Sequence, residues 1–378
     1  MNFEFIANDY YNNIFLIIFY STLLIQLIYF WFIFSKLAFY KKKKNTEQYL
    51  PVSVVICAKN EYYNLEKNLP LILEQDYPNF EVVVVNDTSD DETDFLLMQL
   101  SKNYPNLKTI NFYENVNFFK GKKFPLSIGI RCASYENIIL TDADCKPMSN
   151  QWIKSIQNNF SDTVDIVLGY GKIKEEMGIL NSLIRFDTLS IALTYFSFAL
   201  IGKPYMGVGR NLAYKRELFY KNKGFISHYK IKSGDDDLFI NKVAKKNNTA
   251  IEITHDSQTV SYAKRNFSDW ISQKRRHYTT GKYYKFSTKF NLGLFSVSQY
   301  LFFITFAFLL IRADNTFWVV LSLFIIRLFS QLFIYKKVML KLGEKNLLLA
   351  IPFYEIFFMI FNPIILILNS IRKPNKWK

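Results

Sequence analysis

Two aspartates separated by one residue, Asp142 and Asp144, follow an apolar run at positions 137–141. Paired carboxylates in a tight turn supply the oxygen ligands that suit an octahedral Mg²⁺ or Mn²⁺, and such a metal can also hold a diphosphate. A metal in that place neutralises charge that develops on a departing phosphate. Because an Asp-X-Asp turn is also common as a solvated turn, its meaning depends on the elements around it.

Basic residues follow two other runs of this kind. Lys59 lies in the stretch 58–61, and Lys122 lies in the stretch 120–123 beside Gly121. Lysine binds phosphate oxygens, and glycine permits a close approach of the backbone. These stretches predict phosphate contacts, with a solvated basic loop as the alternative for each.

Short runs rich in Val and Ile precede the motifs, and they are apolar on both faces like strands of a parallel sheet. The predicted strands cover positions 52–57, 81–86, 107–112, 137–141 and 164–168. Helical patterns at 64–75 and 93–103 alternate with them. This alternation predicts an open α/β sheet with ligands at the carboxyl ends of the strands. Asp87, Asp142 and Asp144 all come directly after a predicted strand.

The order of these motifs resembles that of the family 2 glycosyltransferases, over about residues 51–285 and the flanking apolar segments. The resemblance implies a GT-A catalytic domain, which is a Rossmann-like nucleotide-diphospho-sugar transferase fold. It also implies that Asp142 and Asp144 bind the metal, with Asp144 as the closer ligand. The substrate contacts that it implies are Ala58, Asn60, Glu61, Asp87, Lys122, Asp142, Gly209, Asn211, Asp237, Gln273, Arg276 and His277.

The run Asp235-Asp236-Asp237-Leu238 matches the acidic motif that carries the base in this family. Counting back from Leu238 favours Asp235 as the base, whereas anchoring on adjacent acids favours Asp236. A carboxylate suits the role, since it must take a proton from an acceptor hydroxyl during attack on the anomeric carbon. Repulsion among three neighbouring carboxylates tends to raise the proton affinity of one of them.

Gln273 and Arg276 match a further motif of the family, whose likeness implies contact with the diphosphate. His277 stands where the family has Trp. In processive members that Trp stacks on the acceptor sugar, so its replacement favours transfer of a single sugar over polymer synthesis.

Apolar segments at both ends of the chain predict a membrane protein of 378 residues. The uncharged run 10–35 has about 26 residues, enough to cross a hydrocarbon core of roughly 30 Å. The lysines at 41–44 place its C-terminal side in the cytoplasm. We therefore predict an N-terminal transmembrane helix with its basic flank (1–47), a cytoplasmic α/β domain (48–289) with a segment at the membrane surface (179–201), and about three C-terminal transmembrane helices (290–378).

Two features of the C-terminal region leave questions. Arg327 and Glu355 fall inside predicted spans at similar depth, which predicts an ion pair because an unpaired charge there is costly. Four spans would leave the C-terminus outside, yet the segment 372–378 is basic and belongs inside by the same rule. The sequence does not decide between these topologies.

For 179–201, a buried core helix is the alternative to a surface segment.

The net charge of +15 comes from basic residues that flank apolar segments, where anionic lipids are the nearer partner than nucleic acid. Cys57, Cys132 and Cys145 lack metal-ligand spacing and are expected to be reduced thiols.

The whole pattern predicts inverting, metal-dependent transfer from a nucleotide sugar, with UDP favoured by the resemblance, to a lipid-linked or glycan acceptor. We expect a multi-pass protein of a bacterial inner membrane that acts in cell-envelope glycan or glycolipid synthesis. The alternatives are a processive polysaccharide synthase and a non-catalytic membrane scaffold that keeps the fold.

Overall fold

The computed structural model describes residues 3–42, 47–114, 121–312 and 316–371, with side chains described from residue 13 onward. Lys43, Lys44, Lys120 and the basic segment 372–378, which entered the predictions above, lie outside the described residues.

The strands are β1 (Val52–Ala58), β2 (Phe80–Asp87), β3 (Leu107–Phe112), β4 (Asn137–Asp142), β5 (Lys146–Pro147), β6 (Ile166–Gly169), β7 (Gly171–Ile173), β8 (Leu212–Lys215), β9 (Thr249–Glu252) and β10 (Thr259–Ser261). The α-helices are α1 (Phe3–Ile28), α2 (Ser35–Ala38), α3 (Tyr62–Leu73), α4 (Thr93–Asn103), α5 (Lys123–Cys132), α6 (Trp152–Gln157), α7 (Ile179–Leu200), α8 (Arg216–Lys221), α9 (Asp237–Val243), α10 (Phe267–His277), α11 (Phe286–Arg312), α12 (Phe317–Leu342) and α13 (Ile351–Ile371). A π-helical stretch, Tyr29–Phe34, joins α1 to α2.

Seven strands form the main sheet in the order β3-β2-β1-β4-β8-β6-β9. Strands β3, β2, β1 and β4 are parallel, whereas β8 is antiparallel to both of its neighbours. Their register brings the ends of β1, β2 and β4 to one edge, with Cys57 opposite Asp142 and Ala58 opposite Asn86. The α/β prediction is confirmed. The fifth predicted strand begins two residues late, because residues 161–164 form a turn closed by the Ser161 N–H and the Val164 carbonyl.

Both faces of the sheet are covered, which explains why its strands are apolar on both sides. Val54 and Ile56 of β1 pack with α3, α4 and α6, and Val55 packs on the opposite face with α5, α7 and α9. A second, three-stranded sheet in the order β5-β10-β7 lies beyond the end of β4. The sheet edge that carries the polar motifs is therefore held between two layers of helices.

Five helical segments among the described residues are long and apolar enough to cross a membrane: 13–38, α7, α11, α12 and a segment ending with α13. The chain is a membrane-associated protein with one such segment near its N-terminus and several near its C-terminus. Helix α7 differs from the others because most of it is buried by protein. It packs against β7 and β9 of the α/β domain and against α2 and α13.

The ion pair predicted between Arg327 and Glu355 is confirmed. The Arg327 guanidinium donates to both carboxylate oxygens of Glu355, one at 2.8 Å, and both side chains are almost fully buried. Arg327 also donates to the side-chain oxygens of Gln26, at 3.1 Å, and Gln331, at 2.9 Å. Gln299 donates to the Glu355 carboxylate as well. This network ties α12 to α1, α11 and α13 and leaves neither charge unpaired.

Both ends of α13 are attached to the α/β domain. In the turn before it, the Glu344 carboxylate accepts hydrogen bonds from Arg185 at 2.9 Å and from the Tyr170 hydroxyl at 3.0 Å. Near its C-terminal end, the Asn369 amide exchanges hydrogen bonds of 3.0 and 2.8 Å with Arg275 of α10. The helix therefore runs along the domain between these two attachments.

Candidate active site

The Asp-X-Asp motif forms a tight turn at the end of β4. The Cys145 N–H donates to the Asp142 carbonyl at 3.0 Å, and the Thr141 hydroxyl donates to the Arg210 carbonyl at 3.0 Å. One ligand atom from each of Asp142, Asp144 and Cys145 lies within 4.8 Å of the others. Two carboxylates on one turn give the oxygen-rich donor set that Mg²⁺ and Mn²⁺ prefer, so these residues fit such a metal.

Cationic side chains surround Asp142. Burial alone would raise the pKa of this carboxyl group, but the Lys122 ammonium group, with Arg210 and Arg276 beyond it, outweighs burial and lowers the pKa. Lys122 donates a hydrogen bond to Asp142, and its own pKa is raised: burial opposes its charge, but Asp142 and Asp235 favour it more strongly. The site therefore holds several positive charges close to the Asp-X-Asp turn, where a diphosphate would need them.

The acidic triplet begins α9, and its three carboxylates have different surroundings. Asp236 caps the helix: its two oxygens accept hydrogen bonds from the Gly209 N–H at 2.8 Å and the Asp237 N–H at 2.7 Å. Asp237 accepts hydrogen bonds from the hydroxyl groups of Thr280 and Tyr284. Within the described part of the chain, no hydrogen bond holds the Asp235 carboxylate, which leaves it available to a ligand.

The triplet also perturbs its own proton affinities. Burial, and then the negative charges of Asp235 and Asp237, raise the pKa of Asp236 to about 7. Beneath the triplet, burial lowers the pKa of Lys123 to about 8, and its ammonium group donates to the carbonyls of Ile231 and Ser233. Lys123 thus fixes the loop that leads into Asp235.

Helix α10 carries Gln273, Arg276 and His277 along the side of the site. Its position is fixed by Lys274, which donates to both oxygens of Asp187 on α7 at 2.7 and 2.8 Å. The His277 side chain is exposed to the cavity, yet desolvation by the surrounding protein, reinforced by the charges of Arg276 and Lys274, lowers its pKa to about 3. The imidazole is therefore neutral at physiological pH and a weak proton acceptor.

The predicted nucleoside contacts lie at the ends of β1 and β2. Burial raises the pKa of Asp87, with the Lys59 charge opposing it. Asn60 joins two loops: its backbone N–H donates to the Ser89 hydroxyl at 2.9 Å, and its side-chain oxygen accepts from the Asp90 N–H at 2.7 Å. Lys59 donates to the Thr88 hydroxyl at 2.9 Å, so the two loops form one rim.

One cavity of about 1310 Å³ brings most of the predicted site together. Its lining includes Glu61, Lys122, Asp142, Asp144, Gly209, Asp235, Asp236, Asp237, Gln273, Arg276 and His277. Ala58, Asn60, Asp87 and Asn211 are not among the residues that line it. Asp142 and Asp144 thus share one space with the acidic triplet, whereas Asp87, which was also expected to converge with them, is not part of its lining.

Asn211 corrects the sequence interpretation. It is fully buried, and its amide is used inside the protein: it donates to the carbonyls of Tyr170 at 3.0 Å and Ser257 at 2.7 Å and accepts from the Trp152 indole at 3.2 Å. These hydrogen bonds give Asn211 a structural role between the two sheets, and its amide is not available to a substrate.

Sequence reasoning missed Arg210, Asp187 and Lys274, all of which line the cavity. Gly207, Gly209 and Asn211 form a Gly-X-Gly-X-Asn pattern that resembles the acceptor-side motif of the family. Arg210 occupies a variable position of this pattern, so the pattern gave no signal for it. Asp187 and Lys274 are 87 positions apart and meet only through the tertiary fold.

A family model described as Glycosyl transferase family 2 matches residues 53–222, which include β1, β2, β4 and the Asp-X-Asp turn. The domain belongs to glycosyl transferase family 2. A mannosyltransferase from Pyrobaculum calidifontis, solved in complex with GDP-Man and Mn²⁺, superposes with a TM-score of 0.58 and 20% identity, over 93% of this chain and 99% of that one. This likeness supports the GT-A fold of the family 2 domain.

Two relatives match part of the chain in sequence. An uncharacterized glycosyltransferase from Haemophilus influenzae is 31% identical over 138 residues, which are 35% of this chain and 40% of that protein. A poly-β-1,6-N-acetyl-D-glucosamine synthase from Staphylococcus epidermidis is 31% identical over 121 residues, which are 31% of this chain and 28% of that protein. The matched regions span less than half of either relative.

Proposed function

We propose that the protein transfers a sugar from a nucleotide sugar to an acceptor hydroxyl, with inversion at the anomeric carbon. One observation carries the proposal: Asp142, Asp144, Asp235 and Arg276 line the same cavity at the carboxyl edge of a family 2 sheet. This arrangement supplies oxygen ligands, phosphate-binding cations and an unoccupied carboxylate within one space.

Asp142 and Asp144 would hold Mg²⁺ or Mn²⁺, and the Mn²⁺ in the structurally similar mannosyltransferase supports a divalent cation. When bound, the metal would offset negative charge on the leaving diphosphate. Lys122, Arg210 and Arg276 would share this task, since they already surround Asp142. Preorganised charges of this kind are the main source of rate enhancement in such sites.

Asp87 and Glu61 would contact the nucleoside of the donor, and a UDP-sugar is the donor that we propose from the family likeness. Gln273 would assist Arg276 at the diphosphate, because both lie on α10 beside the cavity. His277, being neutral, would contact the acceptor side without taking its proton.

Asp235 would act as the general base. The acceptor oxygen forms a bond to the anomeric carbon while the bond from that carbon to the diphosphate oxygen breaks, and the hydroxyl proton passes to the Asp235 carboxylate. Its lack of a hydrogen bond from any described residue supports this choice over Asp236, whose two oxygens are held by backbone N–H groups. Asp236 would position the loop and Gly209.

We further propose that the family 2 domain faces the cytoplasm of a bacterial inner membrane and that the acceptor is lipid-linked or otherwise close to the bilayer. The apolar helices packed directly on the domain support an acceptor close to the bilayer, and the lysines after the first apolar segment favour the cytoplasmic side. The reaction would then belong to cell-envelope glycan or glycolipid synthesis.

The test is to incubate the purified full chain in lipid nanodiscs with a panel of labelled nucleotide sugars, with Mg²⁺ or Mn²⁺ or with EDTA. We expect one donor to be consumed in a metal-dependent reaction that releases its nucleoside diphosphate. Binding of a nucleotide sugar without any turnover would instead favour a non-catalytic scaffold. Long products on gel analysis would favour a processive synthase.

A further inference from the structure

The active-site cavity does not end at the family 2 domain. It continues between the apolar helices, where its lining includes Ser190, Gln299, Gln331, Tyr335, Glu355 and Asn362. We call this part the inner pocket. Because it is continuous with the space that holds Asp144 and Asp235, a molecule in the inner pocket could present a hydroxyl group to the base.

The inner pocket is polar but its charges are internally balanced. Glu355 is paired with Arg327, and Asp187 at the entrance is paired with Lys274. Neither Arg327 nor Lys274 is therefore available to bind a phosphate. Lys122, Arg210 and Arg276 differ from these two pairs, because they lie together near Asp142 at the end of β4, beside the proposed metal site.

Hydrogen-bonding side chains line the inner pocket. The Asn362 side-chain oxygen is buried and has no hydrogen-bond partner in the described structure. Such an atom is costly to bury alone and calls for a donor, which a hydroxyl group provides. The hydroxyl groups of Ser190 on α7 and Tyr335 on α12 form a hydrogen bond of 3.1 Å with each other.

Apolar surface surrounds these polar groups. Phe358, Met359 and Leu366 of α13 line the same pocket, and the neighbouring Ile364 and Ile367 are exposed on the outside of the helix. Pro363 lacks the N–H that would bond the Met359 carbonyl, and the Tyr300 hydroxyl donates to that carbonyl at 2.6 Å instead. The Met359 carbonyl therefore has a hydrogen-bond partner despite the proline.

We propose that the inner pocket binds the acceptor, and that the acceptor is a membrane lipid with an uncharged, hydroxyl-bearing head group, as in a neutral glycolipid. This rests on the proposed function, because the head group is useful there only if Asp235 takes its proton. The balanced charges favour hydroxyl groups over a phosphate, and the apolar wall favours an attached hydrocarbon chain.

The test uses the full chain in nanodiscs with the nucleotide sugar that the panel selects. Three acceptors are compared: a glycosyl diacylglycerol, a polyprenyl diphosphate sugar and a soluble oligosaccharide. We expect transfer to the neutral glycolipid to exceed transfer to the other two at least tenfold. Preference for the diphosphate lipid, or equal use of the soluble glycan, would overturn the proposal.

Asn362→Leu tests the proposed contact between Asn362 and the head group. Ser370→Leu, on the same helix but outside the cavity, is the control. Loss of one hydrogen bond to the head group should lower the ratio of glycolipid transfer to donor hydrolysis about tenfold. Asn362→Ala is measured alongside, so that misfolding of the Leu variant does not decide the outcome. An unchanged ratio in the folded variants contradicts a contact at Asn362.

Binding of the glycosyl diacylglycerol is also measured directly by native mass spectrometry. If no nucleotide sugar is hydrolysed or transferred, the proposed function fails. The binding measurement still tests whether the inner pocket binds the lipid. Binding that Asn362→Leu weakens and Ser370→Leu does not supports the inference. Absence of binding to the wild-type chain refutes it.

Discussion

The two halves of the cavity differ in how their charged side chains are arranged. At the end of β4, Lys122, Arg210 and Arg276 gather around Asp142, and the carboxylates of Asp144 and Asp235 line the same space. Between the apolar helices, Arg327 and Glu355 neutralise each other. The first half is built to receive a charged molecule, and the second half is built to keep its own charges satisfied. Substitutions in the first half should therefore affect catalysis most, and substitutions in the second half should affect stability most.

The largest effect is expected at the acidic triplet. Asp235→Asn removes the proposed base and should lower kcat by about 10²- to 10⁴-fold, while binding of the nucleotide sugar is retained. Steady-state kinetics and calorimetric titration of the donor measure the two quantities. The exposed Asp162→Asn is the matched control. If Asp236→Asn abolishes turnover and Asp235→Asn leaves it intact, the two roles are reversed.

Breaking the buried ion pair should harm stability before chemistry. Glu355→Gln leaves the Arg327 charge unpaired, and loss of one partner of a buried pair costs about 3–5 kcal/mol. We expect poor recovery from the membrane and a lower unfolding temperature in detergent. The double variant Arg327→Met with Glu355→Met removes both charges and should regain most of the loss. A double variant as unstable as the single one would contradict the pairing argument.

A smaller effect is expected in the pH dependence of stability. The folded protein raises the pKa of Asp236 from its ordinary 3.8 to about 7, so the folded state holds this proton more tightly than the unfolded state. The resulting stability is complete below about pH 4 and is lost as the pH rises through 7. Between pH 5 and pH 8, the unfolding temperature of Asp236→Asn should fall less than that of the wild type. Parallel curves for the two proteins would rule out the raised pKa.

The smallest effect is expected at His277. Its pKa of about 3 makes it neutral throughout the working range, so His277→Gln should change the rate far less than Asp235→Asn and should not shift the pH profile of kcat. A profile that loses a limb in His277→Gln would show that the imidazole transfers a proton.

Local features of the sequence predicted the architecture well. The Val- and Ile-rich runs fixed β1, β2 and β4, and the chemistry of Asp142 and Asp144 follows from where those strands end. The pairing of Arg327 with Glu355 was also predictable, because an unpaired charge at that depth costs too much.

Tertiary contacts decided the rest. A Gly-X-Gly-X-Asn pattern reads the same whether its amide faces a substrate or the core, so the burial of Asn211 could not be foreseen. The bond between Asp187 and Lys274 depends on how α7 and α10 pack, which no local pattern encodes. The same holds for the cavity, whose walls come from helices that are far apart in the chain.

The attachment of α13 at both ends bears on the membrane topology of the chain. Because both ends contact the α/β domain, we expect Ser370 to lie on the same side of the membrane as the exposed Cys132 of that domain. In sealed vesicles, a membrane-impermeant maleimide should label Ser370→Cys and Cys132 together or not at all. The basic residues 372–378 would then lie on the same side of the membrane as the lysines at 41–44. Both basic segments would fit the preference of such residues for the cytoplasmic side.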